Sequence, residues 1–149
     1  MPLDRSNNIK IRILVVDDEP DILLTLKAIL EGRGHYVKTF DNPAEALNHL
    51  RSSSNNNNGD TRYYDLVITD YRMPGSGISG SDLAKRVKEH TRRKTSVYLM
   101  SGSFNESSLP EEFIQASKSG IVDEFIQKPF SNDKLIAVIE KNFSHNKNH

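Results

Sequence analysis

The sequence predicts an α/β fold: a parallel β-sheet covered by helices on both faces. Three observations lead there. Strand-like and helix-like segments alternate five times along 149 residues, the pattern of βα units. Four short apolar runs, ILVVDD, LVITD, VYLMSG and FIQKPF, end in polar residues able to do chemistry. The length suits one domain with a real core, not two.

Residues 11–16 read as the first strand, and Pro20 then suits a first helical turn. Ile22, Leu23, Leu26, Ile29 and Leu30 make an apolar stripe at helical spacing, and Gly32 and Gly34 end that helix. The second strand is expected over 36–40. Asn42-Pro43-Ala44-Glu45 then supplies a cap, a proline and an early acid, with Leu47 and Leu50 facing the core. The third strand is expected over 65–69, and Ser81 can cap the next helix, with Leu83 and Val87 inward. Residues 96–100 read as the fourth strand, and Pro110 opens a helix with Phe113, Ile114 and Ser117 along one side. The fifth strand is expected over 123–127. Ser131 caps the last helix, whose buried stripe is Leu135, Val138 and Ile139. An extended or disordered segment over 1–10 and a polar tail over 144–149 flank this folded unit of 11–143. Residues 51–63, with the low-complexity run SSSNNNNGD, read as a surface loop at the sheet edge away from the acids.

Bulk properties exclude several classes. Formal net charge is zero, so no global basic field points to direct nucleic-acid binding. The absence of cysteine excludes disulfide scaffolds, thiol catalysis and Cys-type metal sites. No apolar run approaches the roughly 18–20 residues of a membrane span, and the N-terminus shows no apolar secretory segment. A cytoplasmic protein with no membrane partner is expected. His35, His49, His90, His145 and His149 show no metal-ligand spacing and read as surface or tail residues.

Parallel strands deliver their carboxyl ends to one edge. Asp17, Asp18, Asp70, Ser101 and Lys128 would meet there: three carboxylates, a hydroxyl and an ammonium. Crowded carboxylates repel each other unless a cation sits among them. A hard divalent ion with oxygen ligands resolves this, and Mg²⁺ suits a few carboxylates plus waters, with Mn²⁺ able to replace it. The lysine and hydroxyl beside it can receive phosphoryl oxygens. Such an edge can take a phosphoryl group onto a carboxylate. Each residue also has a plainer role. The Asp pair can cap a helix, Ser101 can sit in a turn, Lys128 can be a solvated charge and Phe125 core. Together the plain roles need several coincidences of residue type and place.

The motifs LVVDDE, ITDYRMP, LMSG and QKPF, in this order and on these strands, resemble the receiver domain of two-component response regulators over about residues 11–143. The resemblance implies a doubly wound, flavodoxin-like, five-stranded sheet of order 2-1-3-4-5 with five helices. Ligands in such sheets sit beyond the strand ends at the switch point between the first and third strands. Asp70 resembles the phosphoacceptor. Asp18 looks like a direct Mg²⁺ ligand and Asp17 one that acts mainly through water, with Asp70 and the backbone carbonyl of Arg72 as further ligands. Lys128 would pair with Asp70 at rest and with the phosphoryl group afterwards. Ser101 would hydrogen-bond that group, and Phe125 stands in the place of the family's switch aromatic. Pro129 resembles the proline that follows the lysine, often through a cis bond.

The expected partners are a sensor histidine kinase or phosphotransfer protein and an unidentified effector protein. No enzyme activity is expected beyond self-phosphorylation and intrinsic autodephosphorylation. The sequence stops just after the fifth helix, so a stand-alone receiver is expected. The segments GSGIS after Pro74 and SGSFNESSLPEEF from Ser101 are longer than the family's usual loops. One rival is a pseudo-receiver that binds partners without phosphorylation; the full set of Asp18, Asp70, Ser101 and Lys128 argues against it. The other is a Mg²⁺-dependent phosphatase of the haloacid dehalogenase kind. That class needs an acid two residues after its first-strand nucleophile and usually a cap domain. Asp17 has Glu19 at that distance, Asp18 has Pro20, and no cap domain is expected.

Overall fold

Successive residues of the strands point alternately into two cores, and this alternation organises the molecule. The computed structural model describes residues 9–53, 63–102 and 109–144. They form β1 (Arg12–Val16), α1 (Pro20–Gly32), β2 (Tyr36–Phe40), α2 (Pro43–Ser53), β3 (Leu66–Asp70), α3 (Gly80–Thr91), β4 (Ser96–Ser101), α4 (Glu111–Lys118), β5 (Glu124–Gln127) and α5 (Asn132–Ser144). Neighbouring strands are all parallel, in the order β2-β1-β3-β4-β5. The doubly wound, flavodoxin-like order expected from the motifs is therefore the one observed.

One core holds Leu14, Val16, Val67, Val97 and Leu99 from the sheet against Leu47, Leu50, Leu83, Val87 and Phe113. The other holds Ile13, Val15, Ile68, Tyr98 and Met100 against Leu26, Leu30, Leu135 and Ile139. Pleated strands send successive side chains to opposite faces. Helices α2, α3 and α4 thus cover one face, and α1 and α5 the other. All five residues of β3 are buried, which is why this central parallel strand reads as a continuous apolar run.

Most helix ends follow the expected chemistry. Asn42 Oδ1 accepts from the N–H groups of Ala44 and Glu45 at 2.8 and 3.1 Å. Ser131 Oγ accepts from Lys134 N at 3.1 Å. Gly34 takes φ 95° after α1, the left-handed conformation that favours glycine.

Four local expectations need correction. Ser79, not Ser81, caps α3, in a capping box whose Asp82 N–H donates to Ser79 Oγ at 3.0 Å. Gly80 explains the earlier start. A Cβ there would lie 2.2 Å from the Asp70 carbonyl oxygen, so the helix begins where only glycine can touch the end of β3. On α4, Ser117 is exposed and Ala116 turns inward beside Phe113. The reason is local: the Ala116 carbonyl accepts from Ile121 and Val122 N–H, which draws that side against the sheet. His35 is buried, with Nδ1 accepting from Ile11 N–H at 3.2 Å. Finally, β3 and β4 each run one residue further than expected, so Asp70 and Ser101 are the last residues of their strands.

Of segment 1–10, Ile9 and Lys10 are described, and Ile9 packs in the core with Ile11. Residues 51–53, expected in the surface loop of 51–63, instead form the end of α2, which continues past the buried Leu50 to Ser53. The expectations for 54–62, 103–108 and 145–149, including His145 and His149, lie outside the described residues. No local pattern in the sequence marks Lys88. Its buried ammonium donates to the Thr95 carbonyl at 2.8 Å and to Asp123 Oδ2 at 2.7 Å. The same carboxylate oxygen accepts from Val97 N at 2.8 Å, tying α3 to β4 and the start of β5. A buried charge needs this set of partners.

Candidate functional site

The register sets the site. Val16 lies beside Thr69, Asp70 beside Met100, and Ser101 beside Gln127. Asp17, Asp70, Ser101 and Lys128 therefore step along one sheet edge. The Lys128 N–H donates to the Ser101 carbonyl at 2.9 Å, and the Lys128–Pro129 bond is cis.

The cluster is compact. Lys128 Nζ donates to Asp17 Oδ2 at 2.9 Å and contacts Asp70 Oδ1 at 3.0 Å. Asp17 is fully buried, and its other oxygen accepts from Glu19 N–H at 2.9 Å. Asp70 is buried and Asp18 exposed. The pairing of Lys128 with Asp70 matches expectation; its equal bond to Asp17 adds to it. Ser101 is buried at the end of β4.

Electrostatics and burial oppose each other here. Burial raises the Asp17 carboxyl above its ordinary range; the Lys128 bond and Glu19 N–H pull it back, and the Asp70 charge pushes it up again. Burial likewise raises Asp70. Lys128 opposes that shift, while the charges of Asp18 and Glu19 add to it. Burial works against the Lys128 ammonium, but its bonds to Asp17 and Asp70 outweigh it and its pKa stands above the ordinary lysine value. The lysine is the internal counter-ion of a crowded acidic site.

Asp17, Asp18 and Asp70 each offer an oxygen, and these oxygens lie within 4.8 Å of one another. Hard oxygen donors with one exposed member, leaving room for waters, fit a divalent cation such as Mg²⁺. The Arg72 carbonyl accepts no hydrogen bond among the described residues. The Arg72 guanidinium lies over the Tyr71 ring, 5.9 Å from its centroid. Ser76 Oγ lies 2.6 Å from the Met73 carbonyl oxygen and 2.9 Å from that of Ile78, its single proton shared between them, which folds the longer stretch after Pro74 onto itself.

Two features of the site have no clear signal in the sequence. Glu19 Oε2 lies 3.6 Å from Lys128 Nζ, a fourth carboxylate at the site, signalled only by an acid next to the Asp pair. The second is an aromatic row. Phe125 stacks on Phe113 at 4.9 Å with 4° between the rings, and Phe113 meets Tyr71 edge-on at 4.9 Å. The Tyr71 hydroxyl bonds Glu112. The residue after Asp70 is thereby joined through α4 to β5. No local pattern announces such a row; it exists only when three elements meet.

Comparison with known proteins gives the family. The sequence model of the response regulator receiver domain matches residues 13–140. The nitrogen assimilation regulatory protein NtrX of Azorhizobium caulinodans is 33% identical over 130 residues, 87% of this chain and 25% of that protein. The transcriptional regulatory protein FixJ of Bradyrhizobium diazoefficiens is 32% identical over 128 residues, 86% of this chain and 54% of that protein. The chain thus spans about a quarter to a half of these curated relatives. A response regulator receiver domain protein from Clostridium thermocellum is 30% identical, with TM-score 0.69, covering 93% of this chain and 96% of that one. Among the described residues, no helix is long and apolar enough to cross a membrane. Because the family match takes in nearly every strand and helix that builds the acidic edge, this chain belongs to the receiver domain family of two-component response regulators.

Proposed function

We propose that the chain accepts a phosphoryl group on Asp70 from a phosphohistidine of a sensor histidine kinase or phosphotransfer protein, and signals through a changed surface to an effector protein. The observation that carries this is Asp70 held 3.0 Å from Lys128 in a site shared with Asp17 and Asp18. Asp18 and Asp70 would hold Mg²⁺ directly, Asp17 mainly through water, and the Arg72 carbonyl would complete the protein ligands. The ion, when bound, offsets the negative charge that donor and acceptor bring together. An Asp70 oxygen attacks phosphorus, the P–N bond breaks, and its electron pair leaves with the imidazole nitrogen of the donor. The Lys128 ammonium turns to a phosphoryl oxygen and the Ser101 hydroxyl donates to another. Positioning and charge neutralisation supply the acceleration rather than proton transfer. Water later cleaves the acyl phosphate and restores Asp70. The donor reaches the site along a groove of about 380 Å³ lined by Glu19, Ile22, Thr25, Lys128, Phe130 and Asn132.

Output runs through Ser101 and Phe125 to the face of α4, β5 and α5. The Phe125 ring stacked on Phe113 supports this route, because movement of either ring bears on α4. Encounter with a kinase places the protein in the cytoplasm. The phosphatase alternative fares worse: both oxygens of Asp17 are already engaged, by Lys128 and by Glu19 N–H.

The test is incubation with Mg²⁺ and acetyl phosphate, read by intact mass. One hydroxylamine-labile phosphoryl group is expected on the wild type and none on Asp70→Asn. An undiminished adduct in that variant refutes the assignment.

A further inference from the structure

We propose that Glu19 selects the phosphodonor, favouring N-phosphoryl compounds with a protonated, cationic leaving nitrogen over anionic acyl phosphates. The inference rests on the reading of Asp70 as phosphoacceptor and names the donor class that this site prefers.

Glu19 occupies the N-cap position of α1, yet its side chain makes no capping hydrogen bond. Helix N-caps favour Ser, Thr, Asp or Asn, whose short side chains reach the free amides. Glu19 instead turns toward Lys128, at 3.6 Å, with its side chain 63% exposed. Its backbone N–H is fixed on Asp17 Oδ1, so this carboxylate has a held origin and a free tip at the mouth of the donor groove. It does two things there. It competes with the incoming phosphoryl group for Lys128. It also adds a fourth negative charge facing a single ammonium, which a divalent ion in the site does not fully cancel.

An acyl phosphate brings only negative charge to this mouth. A phosphoramidate, or a phosphoimidazole protonated on its ring, brings a cation on the leaving group together with the phosphoryl charge. The exposed carboxylate attracts that cation and repels the acyl phosphate. In both cases the Asp70 oxygen forms the new P–O bond. Either the P–N bond breaks and its electron pair leaves on the already protonated amine, or the P–O bond breaks and the pair leaves on acetate. Glu19 acts on approach and charge, not as a nucleophile or base. A docking partner that carries phosphohistidine supplies the same cationic leaving group.

The experiment measures phosphorylation rates of the wild type, Glu19→Gln and Glu19→Asp, at saturating Mg²⁺, with acetyl phosphate and with phosphoramidate, at low and at physiological ionic strength. Glu19→Gln is expected to raise the acetyl phosphate rate about threefold or more at low salt, with the gain shrinking as salt screens the charge. The phosphoramidate rate is expected to stay level or fall, so that the ratio of the two rates shifts. Glu19→Asp keeps the charge and is expected to keep most of the wild-type ratio. If both donors change by the same factor, or neither changes, Glu19 does not select the donor and the inference is overturned. If the wild type takes no phosphoryl group from either donor, or Asp70→Asn still does, the phosphoacceptor reading fails and this inference falls with it. Mg²⁺ titration by calorimetry confirms that each variant keeps its ion site.

Discussion

Lys128→Met tests the role of the lysine as internal counter-ion. Lys128 Nζ sits 2.9 Å from Asp17, 3.0 Å from Asp70 and 3.6 Å from Glu19. Asp17 is fully buried and the Lys128 side chain only 16% exposed. Removing one partner of a buried ion pair costs about 3–5 kcal/mol, because the other charge stays buried and uncompensated. Glu19 N–H still serves one Asp17 oxygen, so the lower end, about 3 kcal/mol, is expected without metal at pH 7.5. For a chain of this length that is roughly a 10 °C loss in Tm. The sign of the pH dependence follows from the acids. Burial already raises Asp17 and Asp70, and Lys128 is the main group opposing that shift. In the variant both carboxyls rise further above their unfolded values. Such groups lower stability once pH exceeds the unfolded pKa, and the loss grows up to the folded pKa. The deficit is therefore smaller at pH 5 than at pH 7.5. Mg²⁺ is expected to recover more stability in the variant than in the wild type, because no ammonium competes for the carboxylates; about 2.7 kcal/mol accrues at 100 times Kd. Urea unfolding followed by circular dichroism, in EDTA and in Mg²⁺, reads all of this. A variant in EDTA at pH 7.5 within about 0.5 kcal/mol of wild type, the range of an ordinary surface change, refutes the counter-ion role.

Other outcomes follow from single contacts. Gly80→Ala places a methyl 2.2 Å from the Asp70 carbonyl and 2.8 Å from Tyr71 Cα; a loss of about 1–3 kcal/mol or more and slower phosphorylation are expected, measured by urea unfolding and intact mass. Phe113→Leu removes two ring contacts worth about 0.5–1.5 kcal/mol each beyond burial, so unfolding should show a loss of about 1–3 kcal/mol. Burial holds the His35 pKa below 6.5, against the Glu140 charge and with help from Arg33. A ring kept neutral in the fold gives stability that is complete above the unfolded value and declines as pH falls below it; the NMR titration midpoint of His35 should lie below 6.5, and a midpoint above it contradicts this.

The meeting of the site's side chains at one edge was legible in the sequence because each of them follows or ends an apolar run. A parallel sheet then needs no further information to bring Asp17, Asp18, Asp70, Ser101 and Lys128 together. Caps were legible where a short polar side chain and a proline coincide, as at Asn42 and Pro43. At Ser79 the cap was decided by tertiary structure, since the helix start depends on Gly80 touching the end of β3. His35 looked like a surface residue because nothing nearby in sequence shows that it accepts a hydrogen bond from Ile11, 24 residues earlier and just before β1. The same holds for Lys88 on Asp123, for Glu19 beside Lys128 and for the row Tyr71, Phe113 and Phe125. Periodicity and strand-end chemistry are properties of neighbouring residues, so the sequence by itself determined the fold class and the acidic edge. Partners far apart in the chain are paired only by folding, so tertiary structure alone decided which charges are neutralised and which rings meet.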